Sequence, residues 1–135
     1  MNKLIITGHL TKDAENRVVK VAGVDTPVAT FTVAANYGPR DAEGKRKVQF
    51  IRVTAWRQHA TSLLPYLKKG ANVAVCGAVS CSVYVSTQDH APRATMEISR
   101  IEDFEFLSAS NAPKIKGGEV IEDEAAEEAD EFPFG

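Results

Sequence analysis

Phe50, Arg52 and Trp56 fall at even positions of one β-branched run, Val48 to Trp56. Side chains on a strand alternate between its two faces. The odd positions Ile51, Val53 and Ala55 form an apolar set with Gln49 at the entry, which is the pattern of a core face. The even positions are Val48, Phe50, Arg52, Thr54 and Trp56. A guanidinium between two aromatic rings does not belong in a core, because burying it unpaired costs several kcal/mol. The even face must therefore meet solvent or a ligand. Exposed aromatics interleaved with cations suit unpaired bases and a phosphate backbone, and stacking one base on such a ring contributes roughly 1–3 kcal/mol whatever the sequence. Taken singly, Phe50 or Trp56 reads more readily as core. Arg52 between them shifts both towards a platform.

Other residues join this face only by position. Tyr37 and Tyr84 sit at a loop edge and a strand end and extend an aromatic surface. Arg40, Lys45, Arg46 and Lys47 are either a solvated hairpin tip or, beside an aromatic face, an arm that follows phosphates. No other chemistry is legible. His9, His59 and His90 are scattered, and no nucleophile–base–acid set or glycine-rich phosphate loop is present. Cys76 and Cys81 lie on a strand-like stretch, where a rise of about 3.3 Å per residue separates them too far for a disulfide unless the chain turns. Two cysteines without further ligand spacing make a poor zinc site. The sequence thus predicts a non-enzymatic binding protein with no catalytic residues, metal or cofactor.

The elements that must position these residues are mostly strands. Lys3 to Leu10 alternates, with Leu4, Ile6 and Leu10 on one side; Arg17 to Val21, Pro27 to Ala35 and Val48 to Trp56 follow. Asn36 to Arg46 reads as a polar loop. Asn72 to Ser80 is a further strand, with Tyr84 and Val85 available to extend it. Ser86 to Pro92 is a turn, and Ala94 to Leu107 the last strand. One helix interrupts them between Gln58 and Lys69, with Leu63, Leu64 and Leu67 on one face, lysines in its last turn and Gly70 just beyond. Pro65 costs little if this helix starts near Thr61 or Ser62, and kinks it if it starts near Gln58. These elements predict an all-β fold, a five-stranded Greek-key barrel of the OB type with one helix between strands three and four.

Charge divides the chain. Residues 1–107 hold 14 Lys or Arg against 10 Asp or Glu, whereas residues 108–135 hold 2 against 8. A basic body suits a polyanion, and an acidic end repels one. From Gly117 to Gly135 there are eight acids and no Lys or Arg, and the run closes on Asp130, Glu131, Phe132, Pro133 and Phe134. Such a run cannot bury itself, so the expectation is one domain over 1–107, then a linker and a disordered acidic tail over 108–135. Aromatics at the tip are not needed for solubility. They have the form of a short peptide that docks into a basic, apolar-floored pocket on another protein. No apolar stretch approaches the roughly 18 residues of a membrane span, and no leader pattern opens the chain, so no membrane partner and a cytosolic location are expected.

In this order the pieces resemble the bacterial single-stranded DNA-binding protein family. The opening MNKLIITGHLTKDAE is similar to that family's first strand and turn. The segment from Val28 to Ala34 resembles its second strand. Phe50-Ile51-Arg52-Val53 and Trp56 resemble the third, where Trp-His-Arg-Val and a further aromatic are common. Tyr66 to Gly70 resembles the helix end, Gly77 precedes the long hairpin, and Asp130 to Phe134 resembles the acidic tip. The resemblance implies an OB-fold homotetramer that wraps and protects single-stranded DNA without sequence preference in replication, recombination and repair. It implies association with the nucleoid, and recruitment of genome-maintenance proteins by the tip. By position, it implies stacking by Phe50, Trp56 and Tyr84, with Tyr37 the least well aligned. Three features depart from the family. The hairpin after Gly77 reads AVSCSVY where Arg or Lys are usual, Pro65 stands in the helix, and Gly135 follows the Phe134 that would otherwise carry the terminal carboxylate. The alternative readings are an OB-fold RNA-binding or primosome-type adaptor protein, which gives the tip no role, and a small β-barrel enzyme.

Overall fold

The computed structural model describes residues 1–109 and 111–121. Its elements are β1 (Leu4–Leu10), β2 (Glu15–Val21), β3 (Val24–Tyr37), β4 (Lys47–Trp56), α1 (Gln58–Leu63), a 3-10 turn (Leu64–Tyr66), β5 (Asn72–Val85), β6 (Pro92–Phe106), β7 (Lys114–Lys116) and β8 (Glu119–Ile121).

The alternating sequences close into a barrel. β1 pairs antiparallel with β3 at Leu10↔Val33 and with β5 at Ile6↔Val75. β3 pairs with β4, β5 with β6, and β4 with β6 in parallel at Ile51↔Met96. The order β1-β3-β4-β6-β5 then returns to β1, which leaves no open edge in the ring. β2 pairs with the first half of β3 and β1 with its second half, so the two act as segments of one bent strand. Counted that way the barrel has five strands, with the helix between the third and fourth, as the pattern predicts. Gly8 and Gly77 allow this closure. A Cβ at Gly8 would strike the Ala34 carbonyl, and one at Gly77 the Arg100 carbonyl. Gly77 also sits in a register shift where β5 bends against β6.

The apolar positions of the strands fill the interior. Leu10, Val33, Ile51, Val53, Val73 and Ile98 are fully enclosed. Phe104 packs edge-on to Phe31 at 5.9 Å and to Phe106 at 4.9 Å between ring centroids. The helix closes one end of the barrel with Leu63, and the turn beyond it adds Leu67.

Two expectations are corrected. The helix starts at Gln58, and its α-helical part ends at Leu63 rather than continuing to Lys69. Pro65 has no N–H to continue the ladder, so the chain tightens into the 3-10 turn with Pro65 in its first positions. Lys68 and Lys69 thus lie beyond the helix, and Gly70, at φ 87°, donates its N–H to the Leu10 carbonyl at 2.9 Å.

The second correction concerns the expected linker, 108–116, and the first residues of the expected disordered tail, 117–121. β7 pairs with β6 at Phe104↔Ile115 and with β8 at Ile115↔Val120. Ile115 is fully buried and Ala112 nearly so. The stretch has too little apolar sequence to signal a strand by itself, yet one isoleucine at the right register suffices to seat it on the barrel. The fold therefore runs to Ile121. The tip residues Asp130, Glu131, Phe132, Pro133 and Phe134 lie outside the described residues. Among the described residues no helix is long and apolar enough to cross a membrane.

Candidate nucleic-acid interface

The two faces of β4 separate as alternation predicts. Ile51, Val53 and Ala55 are buried, Val48, Phe50 and Arg52 are exposed, and Thr54 and Trp56 are half-buried. Cross-strand partners share a face, so Ala34 lies beside Phe50, Thr32 beside Arg52, and Val28 beside Trp56. Phe50 stands 57% exposed. An apolar ring in that position covers no core and is free to meet a flat ligand.

The cationic loop is placed beside it. Asp41 organises the tip by accepting N–H bonds from Glu43 and Lys45, each at 2.9 Å. Arg40 donates to the Gly44 carbonyl and Arg46 to the Gly38 carbonyl, both at 2.8 Å. These contacts hold the guanidiniums in place without neutralising them, since carbonyls carry no net charge. Arg40, Lys45 and Arg46 then line one depression of about 450 Å³ with Val48, Phe50, Asn36 and His9. Tyr37 and Lys47 are not brought to this face. They pair with one another across the ribbon and, by alternation, project from its opposite side, where Tyr37 is 43% exposed.

Arg52 lies between Thr32 on β3 and Glu97 on β6. It borders a second depression with Lys12, Asp13, Glu15, Thr30 and Thr32. The Thr30 hydroxyl is buried there without a hydrogen-bond partner. Asp13 is partly engaged, accepting the Lys69 N–H at 2.8 Å.

Tyr84 lies on the same face through the closed ring. Arg52 stands beside Glu97, Glu97 opposite Ser80, and Tyr84 is four residues beyond Ser80 on β5. Its direct partner is Arg93. The β5–β6 ribbon is thus not devoid of cations, but Arg93 is paired with Asp89 at 2.6 Å. The Asp89 carboxyl is held below its ordinary range chiefly by the Ala91 N–H, against the opposing cost of desolvation, with help from Ser86 and Arg93. Sequence reasoning missed Arg93 because its relation to Tyr84 exists only once the turn at 86–91 fixes the register.

Trp56 occupies the far end of β4, roughly 20 Å from Phe50 at about 3.3 Å per residue. Its indole N–H donates to the Ser99 carbonyl at 2.8 Å. It borders a third depression, of about 880 Å³, with Arg57, His59, Ser99, Arg100 and the hairpin residues Gly118 to Val120. His59 Nε2 is 2.7 Å from the Gly118 carbonyl, which ties the helix to the hairpin. Arg57 adopts φ 54° and ψ −121°, a glycine-type conformation that costs a side-chain-bearing residue roughly 1–3 kcal/mol. Arg57, His59 and Arg100 are not legible from the sequence as a group, because the hairpin residues that border them, Gly118 to Val120, fall in the stretch expected to be a disordered acidic tail.

The arrangement offers three consecutive stations along one face: a ring among cations, an arginine among hydroxyls and carboxylates, and a half-buried indole beside two arginines. This can hold a flexible polyanion with flat side groups. Comparison with known proteins agrees in kind. Residues 1–107 match the model of the single-strand binding protein family. Single-stranded DNA-binding protein 3 of Streptococcus agalactiae serotype V is 32% identical over 112 residues, which are 83% of this chain and 78% of that protein. The single-stranded DNA-binding protein of Streptococcus pneumoniae serotype 4 is 32% identical over 109 residues, 81% of this chain and 67% of the relative. That of Streptococcus pyogenes serotype M3 is 32% identical over 109 residues, covering 81% of this chain and 64% of its own length.

Proposed function

The chain belongs to the single-strand binding protein family, and from that footing we propose that it binds single-stranded DNA without sequence preference. The observation that carries this reading is Phe50, 57% exposed, in one depression with Arg40, Lys45 and Arg46. Stacking accepts any base, and the cations follow the backbone. The bound strand runs from Phe50 past Arg52 to Trp56, with Tyr84 receiving a further base on the ribbon. Tyr37 and Lys47, on the opposite side of the ribbon, serve a strand that wraps round its end. The protein acts as a binding protein rather than an enzyme.

The wider role rests on the resemblance: protection of single strands in replication, recombination and repair, as a homotetramer. Ile5, 74% exposed on the outer side of β1, is apolar surface that self-association would cover. The acidic tip, Asp130 to Phe134, recruits replication and repair proteins, since eight acids between Gly117 and Gly135 disfavour a place on DNA. Titration with poly(dT) at two salt concentrations, with mass followed by light scattering, tests the reading. Tight, salt-dependent binding by a tetramer is expected. Equal competition by duplex DNA would refute the platform, a preference for poly(U) would favour an RNA role, and a monomer would remove the wrapping model. For the tip, Phe134→Ala should abolish partner capture while leaving the poly(dT) titration unchanged.

A further inference from the structure

The depression at Trp56 contains more than a stacking ring. Arg57 holds a backbone conformation suited to glycine, yet its side chain makes no capping bond to α1. Among the described residues its guanidinium has no ion-pair partner, and neither has that of Arg100 in the same depression. A strained position occupied by a long, exposed, unpaired cation has no explanation in the fold. Glycine would serve the backbone better, and the guanidinium, which no ion pair among the described residues engages, is left available to a ligand.

The surroundings narrow that use. The Trp56 N–H is already bonded to Ser99, so what remains for a ligand is the ring itself. The β7–β8 hairpin, tied to His59, forms one wall and brings the single acid of the lining, Glu119. At about 880 Å³ the space lies within the size range of small-ligand sites. Guanidiniums are planar, permanently charged forks that match phosphate oxygens. A ring flanked by two of them is complementary to a base joined to a phosphate.

We infer that Arg57 and Arg100 hold the phosphate of one nucleotide whose base lies on Trp56, in a pocket that the β7–β8 hairpin walls. The inference rests on the single-strand-binding reading and adds to it a nucleotide station, walled on one side by the hairpin, at the end of β4. It assigns Arg57 and Arg100 a direct part in binding and gives the unexpected hairpin a role.

The test uses the full chain and oligo(dT). Arg57→Gly suits the local backbone while removing the guanidinium, so its melting temperature should equal or exceed that of the unaltered chain. Its affinity for oligo(dT) should fall on the order of tenfold at low salt, and its log–log salt slope should lessen by roughly 0.7, the share of one phosphate contact. Arg100→Gln, which removes the charge and leaves the backbone of the β6 irregularity untouched, should repeat the loss. Thymidine 5′-monophosphate distinguishes the two sources of the same chemistry. Quenching of Trp56 emission by the mononucleotide, lost in Arg57→Gly, marks a site that takes a free nucleotide; quenching by oligo(dT) alone marks one filled from the strand. Either supports the pocket. Both variants binding oligo(dT) with unaltered affinity and slope would overturn it. Failure of the unaltered chain to bind oligo(dT) would instead overturn the reading on which it rests.

Discussion

The indole N–H of Trp56 donates to the Ser99 carbonyl at 2.8 Å, joining the end of β4 to β6. The ring is therefore oriented by the barrel but not enclosed by it. As the only tryptophan, it reports on its own surroundings. Saturating poly(dT) should quench its emission, and Trp56→Ala should weaken binding by roughly 1–3 kcal/mol, the range for base stacking on oligonucleotide-binding proteins as a class. Emission indifferent to DNA, with a melting loss typical of a core residue, would assign Trp56 to the core instead.

Phe50 separates binding from stability more cleanly. The residue is more than half exposed and covers no core. Phe50→Ala should cost roughly 1–3 kcal/mol of single-strand affinity but change unfolding free energy by no more than about 0.5 kcal/mol. Paired denaturant and fluorescence titrations measure both, and a large stability loss with intact binding contradicts the platform.

Thr30 carries a buried hydroxyl without a partner. Replacing it by the isosteric valine removes an unsatisfied polar group, so Thr30→Val should raise unfolding free energy by about 1 kcal/mol. Urea midpoints at constant m-value are the measurement. A lower midpoint would mean that the hydroxyl has a partner in solution, such as an ordered water.

The C-terminal hairpin sets where the chain can be cut. Ending it after Leu107 removes Ile115, which is fully buried against Phe104, and should cost about 2–5 kcal/mol, as for other losses of large core side chains. Ending it after Ile121 should leave the melting curve unaltered. Equal stability of the two truncations would show that the hairpin adds nothing to the core.

Asp89 restrains Arg93 beside Tyr84. Asp89→Asn should free that cation and tighten single-strand binding, most at low salt, where screening is weakest. The folded carboxyl titrates below its ordinary value. Its contact is therefore fully present at neutral pH and is lost only as pH falls through that lowered value. Affinity at pH 7 should thus separate Asp89→Asn from the unaltered chain, while the two converge in acid. Identical affinities at pH 7 would mean that Arg93 takes no part.

Much of this was legible in residue order. Alternation along Val48 to Trp56 separated Ile51, Val53 and Ala55 from Phe50 and Arg52, because a strand's side-chain period is fixed by its backbone. Gly70 marked a turn with positive φ, but not the end of the helix, which Pro65 brought forward to the turn at Leu64–Tyr66. Other features required the closed barrel. That Tyr84 shares a face with Arg52, while Tyr37 does not share one with Phe50, follows from register between strands distant in sequence, which no local pattern encodes. Pro65 allowed two helix starts until the packing of Leu63 and Leu67 chose one. The segment from Lys114 to Ile121 reads as linker up to Lys116 and as acidic tail beyond it, and only the seating of Ile115 opposite Phe104 makes it part of the fold. Local sequence thus determined which residues were suited to bases and phosphates. The long-range pairings, each set by a core position and not by the binding residues themselves, decided which of them meet.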